Sequence, residues 1–424
     1  MKIAMLSEHA SPLAAVGDVD AGGQNVHVGA LATALAERGH QVDVFTRRDD
    51  PDAPNCVRLA RGVLVRHLPA GPPEPIPKDE LPPYLPEMTS ALEAALRRGA
   101  YDVLHAHFWM SGQVSLDAAR SLDIPVLQTF HALGVVKKRH QGAEDTSPPQ
   151  RLDTEARIAR DVDRIIATCT DEMRELLAIT AGHPSIDVVP CGVDTAQFHP
   201  ARLGPVPQRR CRYRVLSLGR MVRRKGIDDT IRAVAQIPDT ELLIAGGPSR
   251  QELCGDPEGA RLRELIAELG VPDRVRLLGQ VRRSEVPDLV CSSDVVACLP
   301  WYEPFGIVPL EAMACGVPVL GSAVGGLLDT VVDGVTGILI PARSPDVAAE
   351  RLGDLLADEA GRRTMGEAGV RRVEERFRWD RVAARTEASY LRALGSSWRP
   401  EKRRTELGYD GIGRADRQTE KVAG

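Results

Sequence analysis

Residues 199–220 read HPARLGPVPQRRCRYRVLSLGR. The first part, 199–213, is rich in proline and arginine and has no apolar period, so it reads as a linker between domains. At RVLSLGR (214–220) an apolar run ending in glycine starts a new series. Upstream, KIAMLS reads as a strand, GGQNVHVGALATALAERGH as a helix stopped at Gly39, and VDVFT as a second strand. Further strands are expected at DVLHAHF, PVLQTFH, RIIATC and IDVVPCG. Downstream, strands at RVLSLGR, ELLIAGG, RVRLLG, DVVACL, PVLGS and GILI alternate with helices from Gly226 and near 258–269, then 345–357 and 360–376. Alternating strands and helices make parallel sheets. Two such series predict an α/β protein of two doubly wound, Rossmann-like domains facing across a cleft. Ligands in such sheets bind outside the carboxyl ends of strands.

Composition narrows the class. The 424 residues are 43% hydrophobic and 27% charged, with a net charge of -5, which gives no general pull toward nucleic acid or anionic membranes. No apolar run approaches the ~18 residues of a membrane span. The opening MKIAMLSEHAS lacks the basic and long apolar regions of a signal peptide. The eight cysteines are scattered, without a CxxC pair, so neither zinc nor a disulfide framework is expected. A reduced, cytoplasmic protein fits. The tail 399–424 is charged, has few core residues and reads as mobile.

Candidate chemistry falls at strand ends. EPFGIVPLE (303–311) sets Glu303 and Glu311 around a proline-broken loop after an apolar strand. Pro309 suits the first position of a helix stopped by Gly316, which would put Glu311 in its first turn. The N–H groups of Phe305, Gly306, Ile307 and Val308 would lie free beside them. Two carboxylates and a row of donors suit a polyhydroxylated ligand. The plainer reading is a dipole-complementing Glu311 and a solvated Glu303. In SLGRMVRRKGI (217–227), Arg220 and Lys225 flank a strand exit and a helix start, an anion site fit for a diphosphate. In DVDAGGQNVHV (18–28), Gly22 and Gly23 would let a ligand approach the backbone. His131 follows a strand in TFHALG, and HAHFW (105–109) supplies two more histidines, of which the inward-facing one reads as core.

Together these features resemble the retaining glycosyltransferases of family 4, which have the GT-B fold. Glu303 and Glu311 match that family's E-x7-E signature, and GGQNVHV, GRMVRRKG and the histidine after an N-terminal strand occur in the family's order. The likeness spans about residues 1–395. SPLAAVGDVDAGGQNVHV and HAHFWMSGQ resemble the mycothiol-pathway enzymes and, more distantly, the sucrose-phosphate synthase group. The resemblance implies an acceptor-binding domain at 1–198, a nucleotide-sugar domain at 199–377 and a helix at about 378–396 packing back onto the first.

By the same resemblance, Arg220 and Lys225 neutralise the donor diphosphate with help from the Gly23 amide, and Glu311 holds the ribose. Glu303 and the backbone of Phe305 to Val308 hold the transferred sugar. Arg282 lies near the base, and His131 sits beside the sugar and the reacting centre. The leaving diphosphate helps deprotonate the acceptor, so neither an enzyme nucleophile nor a metal or cofactor is implied. The expected partners are a UDP- or GDP-sugar and a small acceptor, with no nucleic acid and no integral membrane contact; a homodimer is left open. Mycothiol enzymes grip an inositol phosphate with Asn, Lys, Tyr, Thr and Arg. Asn25 and Lys78 match, but Phe108 stands at the tyrosine and Ala132 at the threonine. Losing both hydroxyls implies an acceptor without phosphate, as in actinobacterial secondary or thiol metabolism. One candidate is a lincosamide-type transfer of a GDP-octose to a thiol such as ergothioneine. The competing readings are an inactive nucleotide-sugar-binding protein and a glycosidase-like Glu303/Glu311 dyad. A phosphorylase would need a cofactor lysine, and only Lys225, Lys402 and Lys421 lie in the second half.

Overall fold

The computed structural model describes residues 1–14, 23–181, 185–201 and 204–395, so Gly22 and the tail 399–424 lie outside the described residues. The first sheet contains β1 Lys2–Leu6, β2 Gln41–Arg47, β3 Cys56–Ala60, β4 Val63–Leu68, β5 Val103–His107, β6 Val126–Thr129, β7 Arg164–Ala167 and β8 Ile186–Val188. Its order is β3-β4-β2-β1-β5-β6-β7-β8. All pairs are parallel except β3 with β4, an antiparallel edge hairpin that sequence reading missed. Its residues are half exposed and interleaved with Arg58 and Arg66, so no unbroken apolar run marks it.

The second sheet contains β9 Tyr213–Leu218, β10 Thr240–Ala245, β11 Val275–Gly279, β12 Val295–Cys298, β13 Val319–Ser322 and β14 Gly337–Ile340. It is parallel throughout, in the order β11-β10-β9-β12-β13-β14. Both sheets are covered on both faces, and strand alternation divides the core accordingly. Ile3 and Met5 join one buried cluster, Ala4 and Leu6 another. In the second sheet, Leu242 and Ile244 face one way and Leu243 and Ala245 the other.

After Phe377 the chain returns to the first sheet. The Val193 N–H donates to the Phe377 carbonyl at 2.8 Å. Helix Trp379–Leu394 then buries Val382, Ala383 and Tyr390 with Val28, Leu31 and Val103. Among the described residues no helix is long and apolar enough to cross a membrane.

Strand order reverses between β1 and β5 in one sheet and between β9 and β12 in the other. Loops leaving such neighbours diverge and open a crevice at the carboxyl end. Gly226 serves the second crevice. It holds φ 63°, and a Cβ there would lie 1.9 Å from the Leu299 carbonyl oxygen. Gly226→Ala meets both left-handed strain and a backbone clash, so a loss of at least ~2 kcal/mol is expected in urea denaturation.

Candidate active site

Lys225 ends the single turn Arg223–Lys225 after β9, and Glu303 lies in the loop after β12. The Trp301 N–H donates to the Arg224 carbonyl at 2.8 Å, locking the two loops together. The Lys225 ammonium donates to the Glu303 carboxylate in a largely buried ion pair. Burial pushes the Glu303 carboxyl up, but Lys225, Arg224 and the Phe305 N–H outweigh it and hold the group below the usual range. The Phe305 amide therefore already serves Glu303 and is not free for a ligand. Arg220, exposed, leaves β9 at the same crevice.

The helix after the loop begins at Ile307, with Gly306 before it at φ 68°. Pro309 is thus its third residue, and Glu311 falls in the second turn rather than the first. Pro309 is tolerated there because N–H groups in the opening turn have no intrahelical partner. Those of Ile307 and Val308 likewise lie in the opening turn, without intrahelical partners. Glu311 is 1% exposed and pairs with Arg283 at 2.5 Å. Burial nevertheless raises its pKa, with Arg283 opposing. Arg282, the residue expected near the base, does not join this group. Its side chain is 82% exposed and pairs with Glu285 one turn on. Two adjacent arginines are indistinguishable in the sequence, and the turn before helix Val286–Cys291 decides which faces inward.

The first domain presents its own switch point. Gly23 opens helix Gly23–Glu37, and a Cβ there would lie 3.2 Å from Ile307 and 3.5 Å from Phe305. His131, at φ 64° and 2% exposed, packs its ring 5.3 Å from that of Phe305. His107 Nδ1 lies 2.9 Å from His131 Nε2. Both His105 and His107 are buried, so neither points outward as the sequence reading assumed for one of them. His27 completes a group of four histidines. Burial above all pushes each below the usual histidine range and favours the neutral ring. Among the described residues, no group of three or more His, Cys, Asp or Glu is arranged to hold a metal ion.

The expected acceptor residues line the same end of the sheet. Asn25 donates to the Ser11 carbonyl at 2.9 Å, and Lys78 is half-buried in a turn at Lys78–Glu80. Phe108 is buried at φ 83° beneath the Arg151 guanidinium, 5.0 Å away. Sequence reading did not single out Arg151. It is 3% exposed and donates to Glu155 at 2.7 Å, to the Ala132 carbonyl at 2.6 Å and to Ser147 at 3.1 Å. The Arg151/Glu155 spacing of one helical turn was the available signal. Contacts cross between the domains beside this site. Thr170 N–H donates to Asp329 at 2.5 Å, and His140 stacks on Tyr302 with centroids 5.5 Å apart.

Two doubly wound domains with facing switch points, a cation–carboxylate pair on one side and a histidine on the other, define a GT-B glycosyltransferase. The chain belongs to glycosyltransferase family 4. Residues 21–197 match the family model described as Glycosyltransferase Family 4, and residues 208–372 match Glycosyl transferases group 1. It is 38% identical over 408 residues to a D-inositol 3-phosphate glycosyltransferase of Mycobacterium marinum, covering 93% of this chain and 86% of that one. The enzyme of the same description from Mycolicibacterium vanbaalenii is 39% identical over 411 residues, covering 93% and 90%. Among solved structures, sucrose-phosphate synthase from Thermosynechococcus elongatus superposes with a TM-score of 0.84 at 34% identity, covering 92% of this chain and 98% of that one. Anabaena HepE, in complex with UDP and glucose, gives 0.71 at 20% identity over 92% and 99%, a likeness of fold.

The charge pairs make two predictions. Lys225→Met leaves Glu303 buried without its cation, and the cost should be about 3 kcal/mol near neutral pH. In the wild type, the depressed Glu303 pKa adds stability above its unfolded value, lost as pH falls through the folded one. In the variant only Arg224 and the Phe305 N–H still oppose burial, so that pKa should rise and the deficit should be larger at pH 8 than at pH 5; denaturation at both tests this. In the same assay Arg283→Ala should cost about 2 kcal/mol by stranding Glu311. Arg282→Ala, at an exposed pair, should leave the denaturation midpoint unchanged.

Proposed function

We propose that this enzyme moves a sugar from a nucleotide-diphosphate sugar to a small acceptor lacking a phosphate, with retention at the anomeric carbon. The Lys225–Glu303 pair at the β9/β12 crevice carries this reading. A cation held against an ionised carboxylate gives a donor two things at one point. Lys225, with Arg220, meets the diphosphate, while Glu303 accepts hydrogen bonds from sugar hydroxyls. The N–H groups at Ile307 and Val308 supply donors beside them, and Glu311 takes the ribose hydroxyls.

Charge growing on the leaving diphosphate would be stabilised by Lys225 and Arg220, the kind of preorganised electrostatic help that dominates many enzymes. The departing phosphate oxygen would take the proton of the attacking acceptor on the same face. Glu303 is then a hydroxyl clamp rather than a nucleophile, consistent with its ion pair to Lys225. Two cations at the diphosphate leave no step that calls for a metal or other cofactor.

Arg151 supports the phosphate-free acceptor. Its guanidinium is engaged by Glu155, Ala132 and Ser147, and its charge is balanced by Glu155. Phe108 and Ala132 beside it offer no hydroxyl. An incoming phosphate would have to displace a buried ion pair there, at substantial cost.

A thermal-shift series with UDP, GDP, ADP and TDP should raise the midpoint for one base, because a ligand of the native state stabilises by mass action. With the matching nucleotide sugar, transfer should persist in EDTA, and Lys225→Ala should lower kcat by about 10²-fold or more. Tight nucleotide binding without transfer or donor hydrolysis would instead mark a binding protein, and near-wild-type turnover by Lys225→Ala would remove that lysine from the mechanism.

A further inference from the structure

The proposed reaction uses only one of the four buried histidines, and the hydrogen bonds sort the others. Thr129 Oγ1 donates to the Ile166 carbonyl at 3.1 Å, so it accepts from His105 Nε2–H at 2.9 Å. His105 Nδ1 then accepts from the Tyr390 hydroxyl, also at 2.9 Å. Both nitrogens of His105 are spent in the core. His27 Nδ1 faces the Cys191 thiol at 3.2 Å.

His107 and His131 differ. Their rings stack at 5.1 Å with 23° between planes, joined by the 2.9 Å contact of His107 Nδ1 with His131 Nε2. The outer nitrogens, His107 Nε2 and His131 Nδ1, are buried with no hydrogen-bond partner among the described residues. A neutral imidazole has one donor and one acceptor, so one ring donates across the contact and each keeps one unused nitrogen. On its other side the His131 ring meets Phe305, in the loop that the donor sugar would contact.

We propose that His107 is a positioning residue for transfer: by occupying Nε2 of His131 it fixes that ring in one plane and one of its two flipped orientations, leaving Nδ1 for a hydroxyl of the transferred sugar. The need for such a partner follows from the backbone. His131 sits at φ 64°, in the left-handed region that non-glycine residues rarely adopt. A ring on such a turn, with no partner at either nitrogen, could exchange Nδ1 and Nε2 by rotating about its side-chain bonds. The His107 contact removes that freedom before the donor arrives.

This inference rests on His131 meeting the donor sugar, so its test carries a readout independent of turnover. In His107→Asn the amide falls where Nδ1 was, in His107→Gln where Nε2 was, and His107→Phe keeps the ring without nitrogen. The Asn variant should retain kcat within about tenfold of wild type, while Gln and Phe lose about 10²-fold at little-changed donor KM, the scale of a misplaced contact. Thermal midpoints should not follow that order. Separately, 15N spectra of the histidine side chains should show a hydrogen-bonded His131 Nε2 in the wild type and in His107→Asn, and a changed Nε2 signal in His107→Phe. Equal kcat for Asn and Phe, or an unchanged His131 spectrum in His107→Phe, overturns the proposal. A wild type that turns over no nucleotide sugar fails the function proposed above, while the nitrogen spectra still decide whether His107 holds His131.

Discussion

Lys225 and Glu303 lie far apart in sequence and leave different strands, yet they meet because strand order reverses between β9 and β12. Without the reversal, a helix would fill the space between those strand ends. Once the crevice exists, two charges at its rim must find each other or water. The ion pair holds the loop after β12 against the turn after β9, and the Trp301–Arg224 backbone bond and the close seat of Gly226 on Leu299 hold it there as well. The rest of this rim is arranged around that clamp.

Glu303 and Glu311 show how environment separates like residues. Both are buried, and burial alone would raise the pKa of each. Lys225, Arg224 and an amide reverse this for Glu303, whereas Arg283 only opposes it for Glu311. A pair split in this way has the outward look of an acid and a nucleophile. The partners argue otherwise, since each carboxylate is already matched by its own cation. The first domain approaches this rim with its smallest residue. A Cβ at Gly23 would lie 3.2 Å from Ile307, tighter than ordinary packing, and in contact with Phe305.

Much of the fold could be read from alternation. Parallel strands covered on both faces are short apolar runs, so every strand but β3 and β4 fell where the pattern put it, while most helices of the first domain were not placed one by one. The β3–β4 hairpin escaped because a half-exposed edge has no such run. The site residues at strand exits were legible for a related reason: charges and glycines stand out after an apolar run. That Arg283 rather than Arg282 pairs with Glu311 could not be read, because neighbouring residues of one type carry no signal of direction. Pro309 misled by two residues, since proline fits several positions before the first intrahelical bond is needed. Arg151 and the inward turn of His107 were hidden among ordinary helix and strand residues.

By itself the sequence determined the two alternating series, the break between them, and the residue types at each strand end. These follow from periodicity and from backbone rules local to a few residues. Only the tertiary structure decided which charges pair, which of two arginines faces Glu311, and that His107 and His131 share a proton contact. Such choices depend on strand order and on how two domains close over one crevice. They join residues distant along the chain, where local propensity carries no information.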